Sequence, residues 1–133
     1  MKNKPINGAV VFDSKCMTRL LTLSKNIADA CDLCDFAGNA EIEQIVADVI
    51  RVCPQIAKSK GTVGCPIHKD FYDNYENEDA LASCVEFGWV KIARIPSYEY
   101  GINKELHIDE DGCYSLIVPT SKLFDELESF LGV

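Results

Sequence analysis

No apolar run in this 133-residue sequence approaches the roughly 18 residues that a membrane-spanning helix requires. The start, Met1-Lys2-Asn3-Lys4-Pro5, has no apolar stretch of signal-peptide length behind it. Both absences point to the cytoplasm. Phosphate-cradling patterns are missing as well. There is no G-x-G-x-x-G and no G-x-x-x-x-G-K, and Gly61-Thr62-Val63-Gly64 lacks the lysine and the following helix that such a loop needs. Carboxylates abound, yet no apolar pocket is marked out around any of them, so their abundance signals solvation and not general acid–base chemistry. Internal repeats and low-complexity tracts are absent. No cofactor is implied, and a binding protein is expected ahead of an enzyme.

The seven cysteines are odd in number and irregularly spaced, in a chain that is 47% apolar and 26% charged and can therefore fold without crosslinks. A reducing compartment fits them. One domain over residues 1–133 is expected at this length, burying roughly 68% of the surface that the unfolded chain exposes. The net charge of -8 is uneven: residues 1–60 hold eight Lys/Arg against seven Asp/Glu, and residues 61–133 hold five against fourteen. Such acidity repels nucleic acid at long range and steers the chain toward basic protein surfaces.

The apolar periodicities predict a single α+β domain, with four or five helices on one face of a small antiparallel sheet. Met17, Leu20, Ile27, Cys31 and Cys34 recur at helical spacing after Asp13 or Ser14, which can cap a long helix reaching about residue 35. Gly38-Asn39 punctuates the chain before a second helix carrying Ile42, Ile45, Val46, Val49, Ile50 and Cys53, with Pro54 as its stop. The two helices should pack as an antiparallel hairpin. Residues 58–76 show no period, and Asn77 is placed to cap a third helix ending before Gly88. Strands are predicted near 8–12, 89–95, 105–109 and 113–118, the last two joined by Asp111-Gly112 in a type I′ turn. A closing helix follows Thr120 or Ser121, turns Leu123, Leu127, Phe130 and Leu131 to the core, and ends at Gly132.

Cys31-Asp32-Leu33-Cys34 and Cys65-Pro66-Ile67-His68 form a C-x2-C and a C-x2-H, and three thiolates with one imidazole can close a tetrahedral zinc site. Set against zinc, Cys31 and Cys34 continue the apolar stripe of the first helix, while Cys53 and Cys84 fall on the apolar faces of theirs. Free cysteine packs as a small hydrophobe, so Cys31, Cys53 and Cys84 are expected buried and inert. A zinc-binding regulatory module, or a metal-dependent enzyme, built on Cys31, Cys34, Cys65 and His68 is the alternative. Cys65 and His68 alone could be a nucleophile and its base, but no third group is identified to orient them. His107, between Leu106 and Ile108, suits a solvent-facing strand position.

The order helix, strand, hairpin from residue 77 onward resembles that of a winged helix, which implies DNA binding as a further alternative. Its would-be recognition helix carries Glu78, Asp79 and Glu86 and no Lys or Arg, where a groove reader needs positive charge. Residues 70–79 are the most distinctive surface stretch, with five acids and three aromatics in ten positions. Aromatic anchors ringed by like charge suit an interface with a basic protein partner. Asp70, Phe71, Tyr72, Asp73, Tyr75 and Glu76 are the candidate contact residues, with Asp109, Glu110 and Asp111 nearby. The expected protein is thus a small acidic binder of the inhibitor, immunity-protein or nucleic-acid-mimic type, with a homodimer through a sheet edge or the last helix also open.

Overall fold

The computed structural model describes residues 6–7 and 10–133. The elements in chain order are β1 (Ile6–Asn7), α1 (Ser14–Asn26), α2 (Ala40–Lys60), β2 (Cys65–Pro66), α3 (Tyr75–Glu86), β3 (Val90–Pro96), the one-turn α4 (Ser97–Tyr100), β4 (Cys113–Pro119) and α5 (Ser121–Leu131), with 3-10 turns at Ala30–Leu33 and Phe71–Asp73. The sheet order is β1-β3-β4-β2, antiparallel except where β1 joins β3 in parallel. This is the α+β arrangement that the periodicities predict.

Strand register divides the core. Ile92 lies opposite Ile117 and Val90 opposite Pro119, whereas Ala93 lies opposite Leu116 and Ile95 opposite Tyr114, so alternate residues go to alternate faces. The first face contributes Val90 and Ile117 to the main core, which Leu23, Val46, Ile50, Cys84, Phe124 and Leu127 fill from the helices. The reverse face forms a smaller cluster of Ala93, Ile95, Tyr114, Leu116 and Val118, closed by Tyr100 with Val10, Phe12 and Leu106 packed against it. At Gly64 the backbone has φ 149° and an added Cβ would stand 2.7 Å from that of Leu116, so only glycine lets this segment lie on β4.

Helix starts follow short polar side chains, and two of the predicted boundaries move because other side chains cap better. Asp13 accepts from the Cys16 N–H at 2.8 Å, and Asn39 accepts from Ile42 at 3.0 Å. The first helix does not run to residue 35. Asp29 accepts from the Cys31 N–H at 2.8 Å while Asp32 accepts from the Asp29 N–H at 3.4 Å and from the Ala28 N–H at 2.7 Å, and this reciprocal box opens a new 3-10 turn after an extended Ile27. The connection to α2 therefore spans 27–39. Asn74, not Asn77, caps α3, accepting from Glu76 at 3.0 Å, while the Asn77 amide donates to the Phe71 carbonyl at 3.2 Å.

Pro54 lies inside α2 rather than ending it. A proline there has no N–H to return to the Ile50 carbonyl, a defect worth about 3 kcal/mol in an isolated helix. Packing outweighs it. The extra turns seat Ala57 against the core and bring Lys60 to the Tyr100 carbonyl at 2.8 Å and over its ring at 4.9 Å. The irregular stretch expected over 58–76 shrinks accordingly, since α2, β2, a 3-10 turn and α3 take most of it.

Three strand expectations are corrected. In the strand predicted near 8–12, residues 8 and 9 lie outside the described residues, and Val10 spends its backbone groups on Thr62 and Val63 instead of a ladder. Residues 105–109 make only isolated bridges, His68 to Leu106 and Ile108 to Tyr114, because the His107 N–H turns to the Ile67 carbonyl at 2.8 Å. The turn before β4 is not type I′: Gly112 has φ 75°, but Asp111 is not among the positive-φ residues, and the Gly112 N–H bonds the Asp109 carbonyl at 3.0 Å. A type I turn followed by one left-handed glycine fits that pattern. After α3 the chain thus runs strand, short helix, loop, strand, helix, and it is β3, not residues 105–109, that pairs with β4, so the predicted hairpin of 105–109 with 113–118 is not formed. In α5, Leu123 and Leu127 are buried, but Phe130 is 43% exposed, with its ring against Phe36 at 5.2 Å.

Pro54→Ala restores an N–H inside α2 at a half-buried position. It should raise the unfolding free energy by about 2 kcal/mol, the helix-interior cost less the unfolded-chain entropy that proline removes. Urea titration of the two proteins measures this directly.

Candidate functional site

The acidic, aromatic stretch is held in place by backbone pairing on one side and by one aromatic ring on the other. Ile67 N–H bonds the Ser115 carbonyl at 3.0 Å and Lys69 N–H the Glu105 carbonyl at 2.9 Å, which fixes the chain entering the 3-10 turn. Phe71 is half-buried and packs against the main core. Tyr72 stands edge-on to Phe71 at 5.2 Å and to His107 at 4.9 Å, 36% exposed, and Tyr75 is 72% exposed. Burial and the nearby Glu78 carboxylate hold the Tyr72 phenol above its ordinary pKa, so it stays neutral at physiological pH. His107 is therefore not a solvent-facing strand residue but a half-buried partner of Tyr72.

The acids of this stretch stay in solvent. Asp70, Asp73 and Glu76 are exposed, and of the three only Asp70 lies near a basic side chain among the described residues, the His68 ring at 3.6 Å. His68 also lies 3.4 Å from Glu105, which Lys69 approaches at 3.4 Å. No Lys or Arg among the described residues pairs with Asp73, Glu76, Glu78 or Asp79.

The second acidic group, Asp109 to Asp111, has a different character. Arg94 reaches the Asp109 carboxylate through Nε at 2.9 Å and Nη2 at 2.7 Å, and Asp111 at 3.0 Å. The other Asp109 oxygen accepts from the Asp111 and Cys113 N–H groups at 2.9 and 3.0 Å. Asp109 thus closes the turn before β4 with its carboxylate engaged by Arg94, leaving Glu110 as the exposed acid there without an ion pair among the described residues. His107, edge-on to Tyr72, is two residues from Asp109, about 7 Å of extended chain, so the two groups border one another.

The cysteines do not assemble. Among the described residues no three His, Cys, Asp or Glu side chains are placed to hold a metal, and Cys31, Cys34, Cys65 and His68 do not come together. Cys31 and Cys34 are exposed, contrary to the burial expected of Cys31, because the break at 27–29 gives the core position to Leu33. Cys53 and Cys84 are fully buried as expected, and burial pushes the Cys84 thiol up to about 11 and that of Cys53 higher still. Cys65 is half-buried, its thiol raised to about 12 by burial and by Asp48. Its Sγ points to the Pro66 carbonyl, and no hydrogen bond joins it to His68 among the described residues. A thiol held so far above neutrality is a poor nucleophile.

One feature of this face was not singled out from the sequence. A groove of about 380 Å³ runs beside the acidic stretch, lined by Tyr72, Glu78, Leu81, Ala82, Val85, Glu86 and Ile92. Its signal was available, since Glu78, Ala82 and Glu86 are spaced four apart along one helix row, beside Leu81 and Val85 on the next.

Two outcomes follow from this geometry. Brief alkylation of the native protein, read by mass spectrometry, should modify Cys31 and Cys34 and spare Cys53 and Cys84 until denaturant is added. Burial raises the Asp109 carboxyl, but the Cys113 N–H, the Arg94 guanidinium and the Asp111 N–H outweigh it and hold its pKa below the ordinary 3.8. A carboxylate depressed in the folded state stabilises above its unfolded pKa and loses that contribution as pH falls through the folded one. Asp109→Asn should therefore be less stable than the parent near neutrality, and the gap should narrow as the pH falls below the ordinary carboxyl value of 3.8, as thermal melts over an acid pH series would record.

No protein-family model matches the chain, and neither does any curated protein or solved structure.

Proposed function

We propose that the protein acts by binding a protein partner with a basic surface, through residues 70–79 with Glu110 at the margin. The observation that carries this is the coexistence of acids unpaired by any described Lys or Arg with tyrosine rings left standing in solvent among them. Clustered like charges repel one another, and dispersal would serve solubility better. Two other acidic groups are each gathered by an arginine: Arg19 holds Asp125 and Glu128, and Arg94 holds Asp109 and Asp111. Tyr72 and Tyr75 supply the apolar area that charge alone lacks, at low entropy cost. Opposition to a basic surface accelerates association and selects against acidic competitors.

The experiment uses the basic partner recovered on the immobilised chain from its native cell. Changing Asp70, Asp73 and Glu76 together to Ser should slow association about tenfold at low salt and flatten its salt dependence, with the fold intact because all three side chains are exposed. Tyr75→Ala should mainly hasten dissociation. Unaltered association by the triple variant at low salt would sink the proposal and leave residues 70–79 as a solvated connection.

A further inference from the structure

Resting on that function, we infer that the groove between α3 and β3 receives an amphipathic helix of the partner, one apolar side chain entering over Ala82 and a Lys or Arg meeting each of Glu78 and Glu86. Glu78, Ala82 and Glu86 form one row along α3 at intervals of a little over one turn. The two positions are therefore about 12 Å apart along the axis. Between them the methyl of Ala82 leaves a notch. Leu81 and Val85 from the neighbouring row and Ile92 from β3 make its apolar lining, with the Tyr72 ring alongside.

A helix carrying a cation, an apolar residue and a second cation at the same four-residue steps repeats this spacing, whereas an extended segment finds no free strand edge to join here, since β3 is already paired with β1 on one side and β4 on the other. Charge supports the same occupant. Among the described residues, no basic side chain lines the groove. Lys91 precedes Ile92 and so points to the other face of the sheet, while Arg94, two residues on and on the same face, is engaged by Asp109 and Asp111. Nucleic acid and anionic lipid surfaces would meet uncompensated carboxylates here.

The test uses a fluorescein-labelled helical peptide of Lys and Leu, with Leu on one face, and a second peptide in which every Leu is Ser. Anisotropy titrations at low salt should show the Leu peptide binding at least about tenfold more tightly than the Ser peptide, since charge is equal and only the apolar row differs. Ala82→Lys, at an exposed helix position, should abolish that preference. The double variant Glu78→Gln, Glu86→Gln should weaken binding and flatten its salt dependence, and it decides the matter if circular dichroism finds Ala82→Lys unfolded. Equal affinity for the two peptides, no binding of the Leu peptide, or indifference to these substitutions overturns the assignment of the groove. If the triple variant of Asp70, Asp73 and Glu76 still slows the native partner, the broader function survives that result, whereas if it does not, both fall. Sedimentation of the chain alone as a dimer that Ala82→Lys dissolves would give the groove to a second copy and also overturn the inference.

Discussion

Burial of one helix holds this molecule together. α2 is 21 residues long, and Ile42, Ile45, Val46, Ala47, Val49, Ile50 and Cys53 on it are all buried. A row that long cannot be covered by any single neighbour, so α1, α3, β2 and β4 all lie against it. Each CH₂ removed from water stabilises by roughly 0.8 kcal/mol, and the stripe supplies many of them. The entry to this helix is secured with equal care: Glu43, 7% exposed, accepts from the Ala37 and Gly38 N–H groups at 2.9 and 3.1 Å and ties the preceding loop to the first turn. A buried carboxylate with two backbone donors is compensated, and without it those donors would go unpaired at a cost of about 1–3 kcal/mol.

The same burial explains which parts of the fold were legible in the residues. Ile42 to Cys53 could be read because a helix with one wet face writes a 3.6-residue period, and β3 and β4 could be read because β-branched runs sat between turn residues. Pro54 misled because propensity is local, whereas Ala57 and Lys60 are held by partners far along the chain, which no window around residue 54 contains. At 27–29 the apolar spacing continued through a real break. Cys31 and Cys34 sat at helical intervals from Ile27 by coincidence, and the deciding signal was the Asp29–Asp32 box, which reads equally well as ordinary helix surface. Residues 105–109 alternate like a strand because they are extended, but their partners are Ile67 and Lys69 as much as β4.

The candidate face was legible by composition and not by connection. Five acids and three aromatics in ten residues announce themselves; that Phe71 is half-buried, Tyr72 shared and Tyr75 free depends on where His107 arrives from the other half of the domain. The two acidic groups looked alike in sequence. Arg94 separates them, since one guanidinium sits among Asp109 and Asp111 and none reaches residues 70–79. The groove is missed for a similar reason: three of its walls are a helix row that can be counted, but Ile92 and Tyr72 join it only through the tertiary fold.

The short strand β2 has a bearing on how the chain behaves when crowded. Leu116-Ile117-Val118 is the sort of apolar, β-branched segment that templates strand addition between molecules. It is an inner strand, screened on one side by β3 over seven residue pairs and on the other by Cys65 and Pro66. The outer rim on that side is thus two residues long, and one of them is a proline with no N–H to donate. An incoming strand finds no row of free amides to register against. Strand addition between molecules at this rim is in this way opposed by the hydrogen-bonding pattern itself, independent of the acidic charge.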